Sequence, residues 1–465
     1  MSACMPVRRS APAVRRACCP RSRPTRCWCA SAICSRSRSP SIEASRGRRA
    51  PCHAVPRLCR AAAPVQTSAM ADIDDARAED RRIRKLIAVF AISAFAASMV
   101  ARATDPLVLA ISREFLVPEA TVALLGSAFA LPYALVQPFL GPIGDALGKK
   151  RIILLCQFLV ALMVLGCAIS PAFLPLLLMR ALSGAAAGGT MPLTLAVFGD
   201  EVPAAKRQVA ISRLLMFTIC GQIGGGITSA ILEPLLGWRG VLLLCAGLTF
   251  TAVIIMFMAR RRAPAEPMQP FRPGEAMRRY ATILRLPQAR VLYPAVALEG
   301  ALIFGAFPHL APILQSRGLG GTQEAGLALS CFGAGGFFYG LIVTWLLRYL
   351  GQAWMVRLGG LMGFLALVGF ALAPSTPLFV ASGLALGLGF FLMHNTLQVR
   401  VLELAPTSRG SAIALHAFGF FSGQSLGAAL TGLGASAIGY VPCLIASGLC
   451  LLALGVWVGH TPKRA

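Results

Sequence analysis

The chain has 465 residues, of which 56% are hydrophobic and 13% are charged, and its mean hydropathy is +0.70. This composition excludes an ordinary soluble protein and leaves room for about a dozen membrane-spanning helices. The net charge of +26 does not predict binding to nucleic acid, because the cations lie in the first 69 residues and in alternate loops rather than on one basic face with interleaved aromatic residues.

The first 69 residues belong to a different composition class from the rest of the chain. They contain 14 Arg, one acidic residue and no Lys, and they are rich in Ser, Pro and Cys. Such a basic segment is expected to be disordered, and we extend this prediction over residues 1–83. Residues 1–69 either precede the true start of the protein at Met70, form a transit peptide, which is typically rich in Arg and Ser, or act as a functional tail. The Cys spacings fit no zinc motif, so neither a metal nor another cofactor is predicted.

Twelve apolar runs follow, and each is close to the ~20 residues that cross the core of a bilayer. Numbered helix 1 to helix 12, they span roughly 86–109, 121–142, 151–170, 173–197, 209–232, 239–259, 291–314, 325–347, 353–373, 377–400, 410–433 and 437–459. Positive charges fall in every second connection, as at Lys149, Lys150 and Arg151, and short cationic loops stay on the cytoplasmic side. We therefore predict a multi-pass protein of the cell membrane, the bacterial inner membrane, with both termini in the cytoplasm.

The two halves of this pattern resemble each other. The longest internal connection, 261–290, is basic and rich in Pro, as a cytoplasmic linker between two bundles would be. Pro106 of helix 1 and Pro308 of helix 7 are equivalent at an offset of about 202 residues. We predict an all-α membrane protein with twelve transmembrane helices in two pseudo-symmetric six-helix bundles, residues 84–260 and 291–460.

Four short motifs within these helices and loops resemble signatures of the major facilitator superfamily. They are Gly141, Asp145, Gly148, Lys149 and Lys150 (GxxxDxxGKK) between helices 2 and 3, Arg180 and Gly184 in helix 4, Asp200-Glu201-Val202-Pro203 with Arg207 after helix 4, and Gly237-Trp238-Arg239 at the start of helix 6. The resemblance covers about residues 84–460. It implies a monomeric transporter, not an enzyme, that moves a small molecule across the lipid bilayer by alternating access.

Two departures from the family pattern bear on the mechanism. Ala146 stands where a cation usually follows the Asp of the first motif, and the helix-5 antiporter motif GxxxGPxxGG is incomplete, since Gly226 replaces its Pro. The chain is otherwise similar to twelve-helix drug–proton antiporters and sugar-efflux proteins, which implies proton-coupled efflux. Proton-coupled uptake of a sugar or an organic anion is the alternative, and a polytopic membrane enzyme or a channel is a further one.

Ionisable residues inside the apolar runs are the candidates for the transport site, because a charge in the bilayer is costly unless it is paired or faces a wet cavity. Arg102 and Asp105 lie three residues apart on helix 1 and share a face, and Arg180 of helix 4 is expected at a similar depth. This cluster either carries a proton or faces the substrate, or it is a salt bridge that closes the outer side. Glu299 of helix 7 lies near the midplane and either binds a proton or faces the cavity without a coupling role.

Uncharged and weakly basic polar residues are further candidates. Gln222 and Gln424 recur near the middle of helices 5 and 11, where they either face the cavity or satisfy contacts between helices. His394 and Asn395 are expected near His416 on the inner side, where they either titrate or make hydrogen bonds in an inner gate.

The loop between helices 2 and 3 supplies the predicted cytoplasmic gate. The carboxylate of Asp145 can accept hydrogen bonds from the N-terminus of a helix in the other bundle and from nearby Arg. The family resemblance implies that this contact closes the inner side, with Asp200 and Arg207 completing the network and Arg409 as the partner in the second half.

Replacement of Asp145 by Asn is expected to reduce transport without preventing membrane insertion, because the amide keeps the size of the side chain and removes its charge. Flux into reconstituted vesicles measures the effect. Flux equal to that of the wild-type protein would contradict the gating role.

Overall fold

A computed structural model describes residues 63–261, 273–406 and 408–460. The predictions for residues 1–62, and for the part of the linker at 262–272, lie outside the described residues. Within the described ranges the regular elements are helices.

The helices match the apolar runs of the sequence. Their bounds are Ala63–Ala103 with Val108–Phe115 (helix 1), Glu119–Leu147 (helix 2), Lys149–Ala168 (helix 3), Phe173–Ala187 with Thr190–Glu201 (helix 4), Ala204–Arg261 (helices 5 and 6), Ala289–Phe304 with Leu310–Ser316 (helix 7), Thr322–Tyr349 (helix 8), Gly351–Leu372 (helix 9), Thr376–Leu404 (helix 10), Arg409–Ile438 (helix 11) and Tyr440–His460 (helix 12). A shorter helix, Pro273–Leu284, belongs to the linker.

Eleven helical segments of the described chain are long and apolar enough to cross a membrane, and one of them comprises two spans. That segment, Val209–Arg261, has 53 residues, or roughly 80 Å at 1.5 Å per residue, against the ~30 Å of a bilayer core. It is interrupted at Gly237, where φ is 66° and ψ is 170°, a conformation that glycine adopts without a steric cost. The segment therefore forms helices 5 and 6, and the prediction of twelve transmembrane helices is confirmed.

The start of helix 1 differs from the sequence prediction. We expected disorder up to residue 83, whereas the helix begins at Ala63. Glu79 and Asp80 lie in this extension and pair with Lys206 at the start of helix 5, at 2.8 Å and 2.7 Å. Each carboxylate also holds the pKa of the Lys206 ammonium above its ordinary value, through hydrogen bonds and opposite charge. These ion pairs favour continuation of the helix beyond the apolar run.

Helices 1 and 7 are each broken at a proline. Helix 1 leaves helical geometry between Ala103 and Val108, around Pro106, and helix 7 does so after Phe304, around Pro308. Proline has no backbone N–H and clashes with the preceding turn, so it ends or kinks a helix. The two breaks occupy equivalent positions of the two halves. Each half therefore contains a discontinuous helix at the same point of its sequence.

The two bundles contact each other mainly through two pairs of helices. Helix 2 packs against helix 11, and helix 5 packs against helix 8. We call the end of the molecule that carries Lys149 and Lys206 the basic end, and the opposite end, which carries Arg113 and Gln315, the distal end. In the distal half the Ser127 hydroxyl donates to the Ser425 carbonyl at 2.6 Å, and the Ser425 hydroxyl donates back to the Ser127 carbonyl at 3.2 Å. This reciprocal pair joins helix 2 to helix 11.

The equivalent contact on the other side of the interface joins helix 5 to helix 8. The Ser330 hydroxyl donates to the Ile223 carbonyl at 3.3 Å. A Cβ atom at Gly226 would lie 2.6 Å from the Gly326 carbonyl oxygen, and one at Gly326 would lie 2.5 Å from that of Gly226, so the two backbones are in direct contact. Arg113 also donates to Gln315 at 3.0 Å, across the distal ends of helices 1 and 7. The described contacts therefore close the distal side.

Replacement of Gly226 by Leu is expected to push helices 5 and 8 apart and to open the distal side, because the side chain has no space against Gly326. A Cys placed at Ser425, in a background without the native Cys, reports the opening through its rate of labelling by a water-soluble maleimide. We expect this rate to rise several-fold.

The matched control is Gly247→Leu in helix 6. No atom of the described chain lies within 4 Å of a Cβ at Gly247, so this variant should leave the labelling rate unchanged. Equal labelling rates for both variants would show that the contact at Gly226 does not hold the distal side closed.

Candidate functional site

The break in helix 1 exposes backbone carbonyl groups inside the bundle. The last carbonyls of a helix lose amide donors, and within a bilayer each needs another partner. Arg180 of helix 4 supplies two donors: its Nη1 bonds the Val100 oxygen at 3.0 Å and its Nη2 bonds the Ala101 oxygen at 3.2 Å. The planar guanidinium presents paired donors that a Lys ammonium cannot reproduce.

Two further donors complete the end of helix 1. The Ser229 hydroxyl of helix 5 bonds the Ala103 carbonyl at 2.6 Å, and the Asp105 amide bonds the Arg102 carbonyl at 3.3 Å. All four carbonyls from 100 to 103 therefore have partners that come from helix 4, helix 5 or the break itself. The sequence left a transport role and an outer-side salt bridge open for Arg180, and capping of these carbonyls is a contact that neither alternative included.

Arg102 and Asp105 form the predicted pair at the break. Arg102 Nη1 lies 3.4 Å from Asp105 Oδ2, and the side chains are 9% and 4% exposed. The guanidinium carbon of Arg102 lies 4.4 Å from the centre of the Phe304 ring and 5.3 Å from that of Phe307. Both rings belong to helix 7, so the helix-1 cation faces the other bundle across the break and is held there by cation–π contacts.

Phe304 is the centre of a group of aromatic rings that sequence reasoning missed. Its ring centre lies 4.8–5.5 Å from those of the other members of this phenylalanine cluster, which are Phe307, Phe332, Phe390 and Phe420. The apolar runs are hydrophobic on all sides, so no periodicity singles these residues out. A weak signal is the position of Phe307, which aligns with Asp105 in the internal repeat.

The second polar site lies on the other side of the phenylalanine cluster. Glu299 of helix 7 is fully buried, and its Oε2 lies 2.8 Å from Nδ1 of His394 on helix 10. The His394 ring lies 4.9 Å from that of His416 on helix 11. Among the described residues, Glu299 Oε1 and His416 Nε2 have no hydrogen-bond partner. The structure thus joins two predicted residues that the sequence had assigned to different depths, since His394 lies beside both Glu299 and His416. A role of these residues in an inner gate stays a prediction.

The remaining polar candidates are less closely tied to these sites. Gln424 is buried, whereas Gln222 is only half-buried. Asn395 is half-buried on helix 10.

At the basic end, the predicted loop positions form ion pairs within the first bundle. Lys149 bonds Asp200 at 2.6 Å, and Lys150 bonds Glu201. Arg207 donates to the Val202 carbonyl at 3.2 Å. The participation of Asp200 and Arg207 in a gate with the second bundle stays a prediction.

The other predicted gate residues are placed as follows. Gly148 has a φ of 89° and ends helix 2, and Gly141 is exposed within that helix. Arg409 is exposed at the start of helix 11. The side chain of Asp145 lies outside the part of the chain that the structure describes, so its contact with the second bundle stays a prediction.

The glycines of the incomplete helix-5 motif pack against helix 1. A Cβ at Gly221 would lie 2.3 Å from the Phe95 carbonyl oxygen, and one at Gly225 would lie 2.8 Å from that of Met99. The motif therefore retains close helix packing without its proline.

Replacement of Arg180 by Leu is expected to lower the free energy of unfolding by about 2 to 5 kcal/mol, because it leaves buried carbonyls short of donors. The free energy of unfolding of Arg180→Lys should lie between that of this variant and that of the wild type, since one ammonium replaces a two-donor guanidinium. The apparent melting temperature in detergent measures both. Wild-type stability of the Leu variant would rule out the capping role.

Comparison with known proteins agrees with this architecture. The family model described as Major Facilitator Superfamily matches residues 90–428. The chain is 28% identical over 323 residues to the inner membrane transport protein YdhP of Escherichia coli K12, covering 66% of this chain and 79% of that protein. It is 26% identical over 242 residues to the 4-hydroxybenzoate transporter PcaK of Pseudomonas aeruginosa, covering 51% of this chain and 50% of that protein.

A solved structure shares the fold. The crystal structure of a peptide transporter POT in complex with sulfate superposes with a TM-score of 0.69 at 14% sequence identity, covering 81% of this chain and 93% of that one. With the twelve helices, the duplicated halves and the family model together, the chain belongs to the major facilitator superfamily.

Proposed function

We propose that this chain is a proton-coupled exporter of a small organic molecule, in which the two bundles rock about the site between helices 1 and 7. Transport across a membrane is what the family match and the relatives support directly. Proton coupling, outward direction and the type of cargo are the steps that we add. The chain acts as a transporter and not as an enzyme in this proposal.

The buried pair of Glu299 and His394 is the observation that carries proton coupling. A carboxylate that is fully buried within the bilayer is too costly to keep charged unless it is paired or protonated. Here its one hydrogen-bond partner among the described residues is an imidazole nitrogen, which can donate to the ionised carboxylate or accept from the protonated carboxyl group. One proton can therefore enter or leave the pair with a change of hydrogen bonding, which is the property a coupling site needs.

Alternating access requires the distal contacts to break when the basic end closes. The serine hydrogen bonds and the glycine contact of the interface involve small side chains and few bonds, so they can separate and form again. We propose that the loop with Asp145 closes the basic end in the opposite state, with Arg409 as its partner in the second bundle. The exposed position of Arg409 supports this assignment, since its side chain is available to the loop.

The chain is proposed to work as a monomer in the bacterial inner membrane, with both termini in the cytoplasm. The alternation of cationic loops supports this orientation. The similarity to YdhP supports the location in the inner membrane, because that relative is an inner membrane transport protein.

Uptake by proton symport is the second candidate. The organic anion named in that alternative is favoured by the similarity to PcaK, since that relative is a 4-hydroxybenzoate transporter, and by the excess of Arg over Asp among the buried side chains beside the break in helix 1.

The direction of coupling is tested with purified protein in vesicles that contain a pH-sensitive dye. A panel of organic acids, sugars and amphipathic amines is loaded inside, and the external medium is then diluted. An exchanger acidifies the lumen as cargo leaves, because protons enter, whereas a symporter makes the lumen more alkaline. A lumen pH that stays constant during measured efflux of cargo would contradict proton coupling altogether.

Replacement of Glu299 by Gln is expected to reduce transport driven by a pH gradient by more than about tenfold, since an amide neither binds nor releases a proton in this range. Exchange of labelled for unlabelled cargo at equal pH should persist. Glu403→Gln is the matched control, because Glu403 is an exposed carboxylate of the same bundle. Full gradient-driven transport by the Glu299→Gln protein would eliminate the pair as the coupling site.

A further inference from the structure

The charges at the break in helix 1 do not balance. Arg102, Asp105 and Arg180 are 8%, 4% and 2% exposed, and they contribute two positive charges and one negative charge. A buried charge without a counter-charge is strongly unfavourable. Arg180 is compensated in part, because it sits at the negative end of the helix-1 dipole and bonds its carbonyls. The three side chains together therefore keep an excess of positive charge, whereas the pair of Arg102 and Asp105 is neutral by itself.

Arg102 differs from Arg180 in how its donors are used. A guanidinium has five N–H donors. In the described part of the chain, the hydrogen bond of the Arg102 guanidinium is the contact of Nη1 with Asp105, and at 3.4 Å it is long for an ion pair between nitrogen and carboxylate oxygen. Its guanidinium carbon lies 4.4 Å from the centre of the Phe304 ring, a contact that uses none of the N–H donors in a hydrogen bond to an oxygen. The cation is held in place by aromatic contacts and is still able to bind an anion.

The rings beside Arg102 are buried against one another in this state, and they would offer an apolar surface to a ligand body when the two bundles separate. Phe304 and Phe307 touch the guanidinium, and the rest of the phenylalanine cluster extends from them to His394. Flat aromatic rings favour offset or edge-to-face contact with another ring. A ligand with an anionic group at one end and a ring or apolar body at the other would meet both features at once.

We propose that the cargo is an organic monoanion, a carboxylate with an aromatic or apolar body, whose carboxylate binds Arg102 and whose body packs on the phenylalanine cluster. This assignment rests on the proposed function and names the substrate class of the same site. A cargo with one negative charge is favoured over a cargo with two, because the described side chains at the break carry a net charge of +1. The Asp105 carboxylate competes with the cargo for Arg102, so it weakens binding and makes release possible.

The test is equilibrium binding to the purified full chain in detergent at one fixed pH, which requires no proton gradient. The probes are 4-hydroxybenzoate, phenylacetate, cyclohexanecarboxylate and hexanoate. Matched probes of other charge are 4-hydroxybenzamide, which is neutral, tyramine, which is a cation, and phenyl phosphate, which tends towards two charges. We expect at least one carboxylate to bind and to raise the melting temperature, with the neutral amide at least about tenfold weaker.

Three variants test whether Arg102 binds the carboxylate and whether Asp105 competes with it. Arg102→Gln should weaken binding of the carboxylate on the order of 10- to 100-fold, and Arg102→Lys should weaken it less, because the point charge is kept. Asp105→Asn should strengthen it on the order of tenfold, because the competing carboxylate is removed. Arg290→Gln, which removes an exposed cation of helix 7, is the control and should bind as the wild type does.

Asp105→Asn is expected to strengthen binding, whereas Arg102→Gln is expected to weaken it. The test therefore stays informative if Arg102→Gln fails to fold. A salt bridge with only a structural role predicts that Asp105→Asn leaves anion affinity unchanged, and that result would overturn the proposal. Failure of all four carboxylates to bind, or equal binding of the amide, would also overturn it. Proton coupling is judged separately by the Glu299→Gln protein, so either proposal can fail while the other stands.

Discussion

The requirement that every backbone polar group find a partner inside a bilayer determines the geometry of this molecule. The Asp105–Pro106 break costs helix 1 its regular hydrogen bonds, and the cost is offset by donors from two neighbouring helices. Arg180 bonds two carbonyls at 3.0 Å and 3.2 Å, and Ser229 bonds a third at 2.6 Å. Because these donors come from helices 4 and 5, the break fixes helix 1 against both, and the side chains at the break are held in one arrangement.

The same break gives the two halves different chemistry. Helix 7 is interrupted at the equivalent proline, but Phe307 stands there in place of Asp105. The first bundle therefore contributes charge at the centre of the molecule and the second contributes rings. Polar chemistry in the second bundle is moved to Glu299 and His394, beyond the phenylalanine cluster. Phe304 contacts Arg102 as well as Phe390 and Phe420, so apolar packing separates the two polar sites.

The separation of two interacting residues along the chain decides whether the sequence could predict their contact. Helix number and the pairing of Arg102 with Asp105 depend on hydropathy and on residues three apart, which are visible locally. The bond between Glu299 and His394 joins residues 95 positions apart, and no local pattern indicates it. The role of Arg180 depends on where helix 1 ends, so it could not be assigned before the break was seen. Helix 1 extended further than expected because its stabilising partner, Lys206, is remote in sequence.

The contact of Arg113 with Gln315 bears on how a duplicated protein came to have unlike halves. These residues are 202 positions apart, the same offset as the two prolines, so each is the counterpart of the other on the symmetry axis. In an ancestral dimer of identical subunits, the residue at this position would have faced its own copy. Two Gln side chains can bond each other in that setting, whereas two Arg side chains repel. The present Arg–Gln pair therefore requires two halves that differ in sequence at this position.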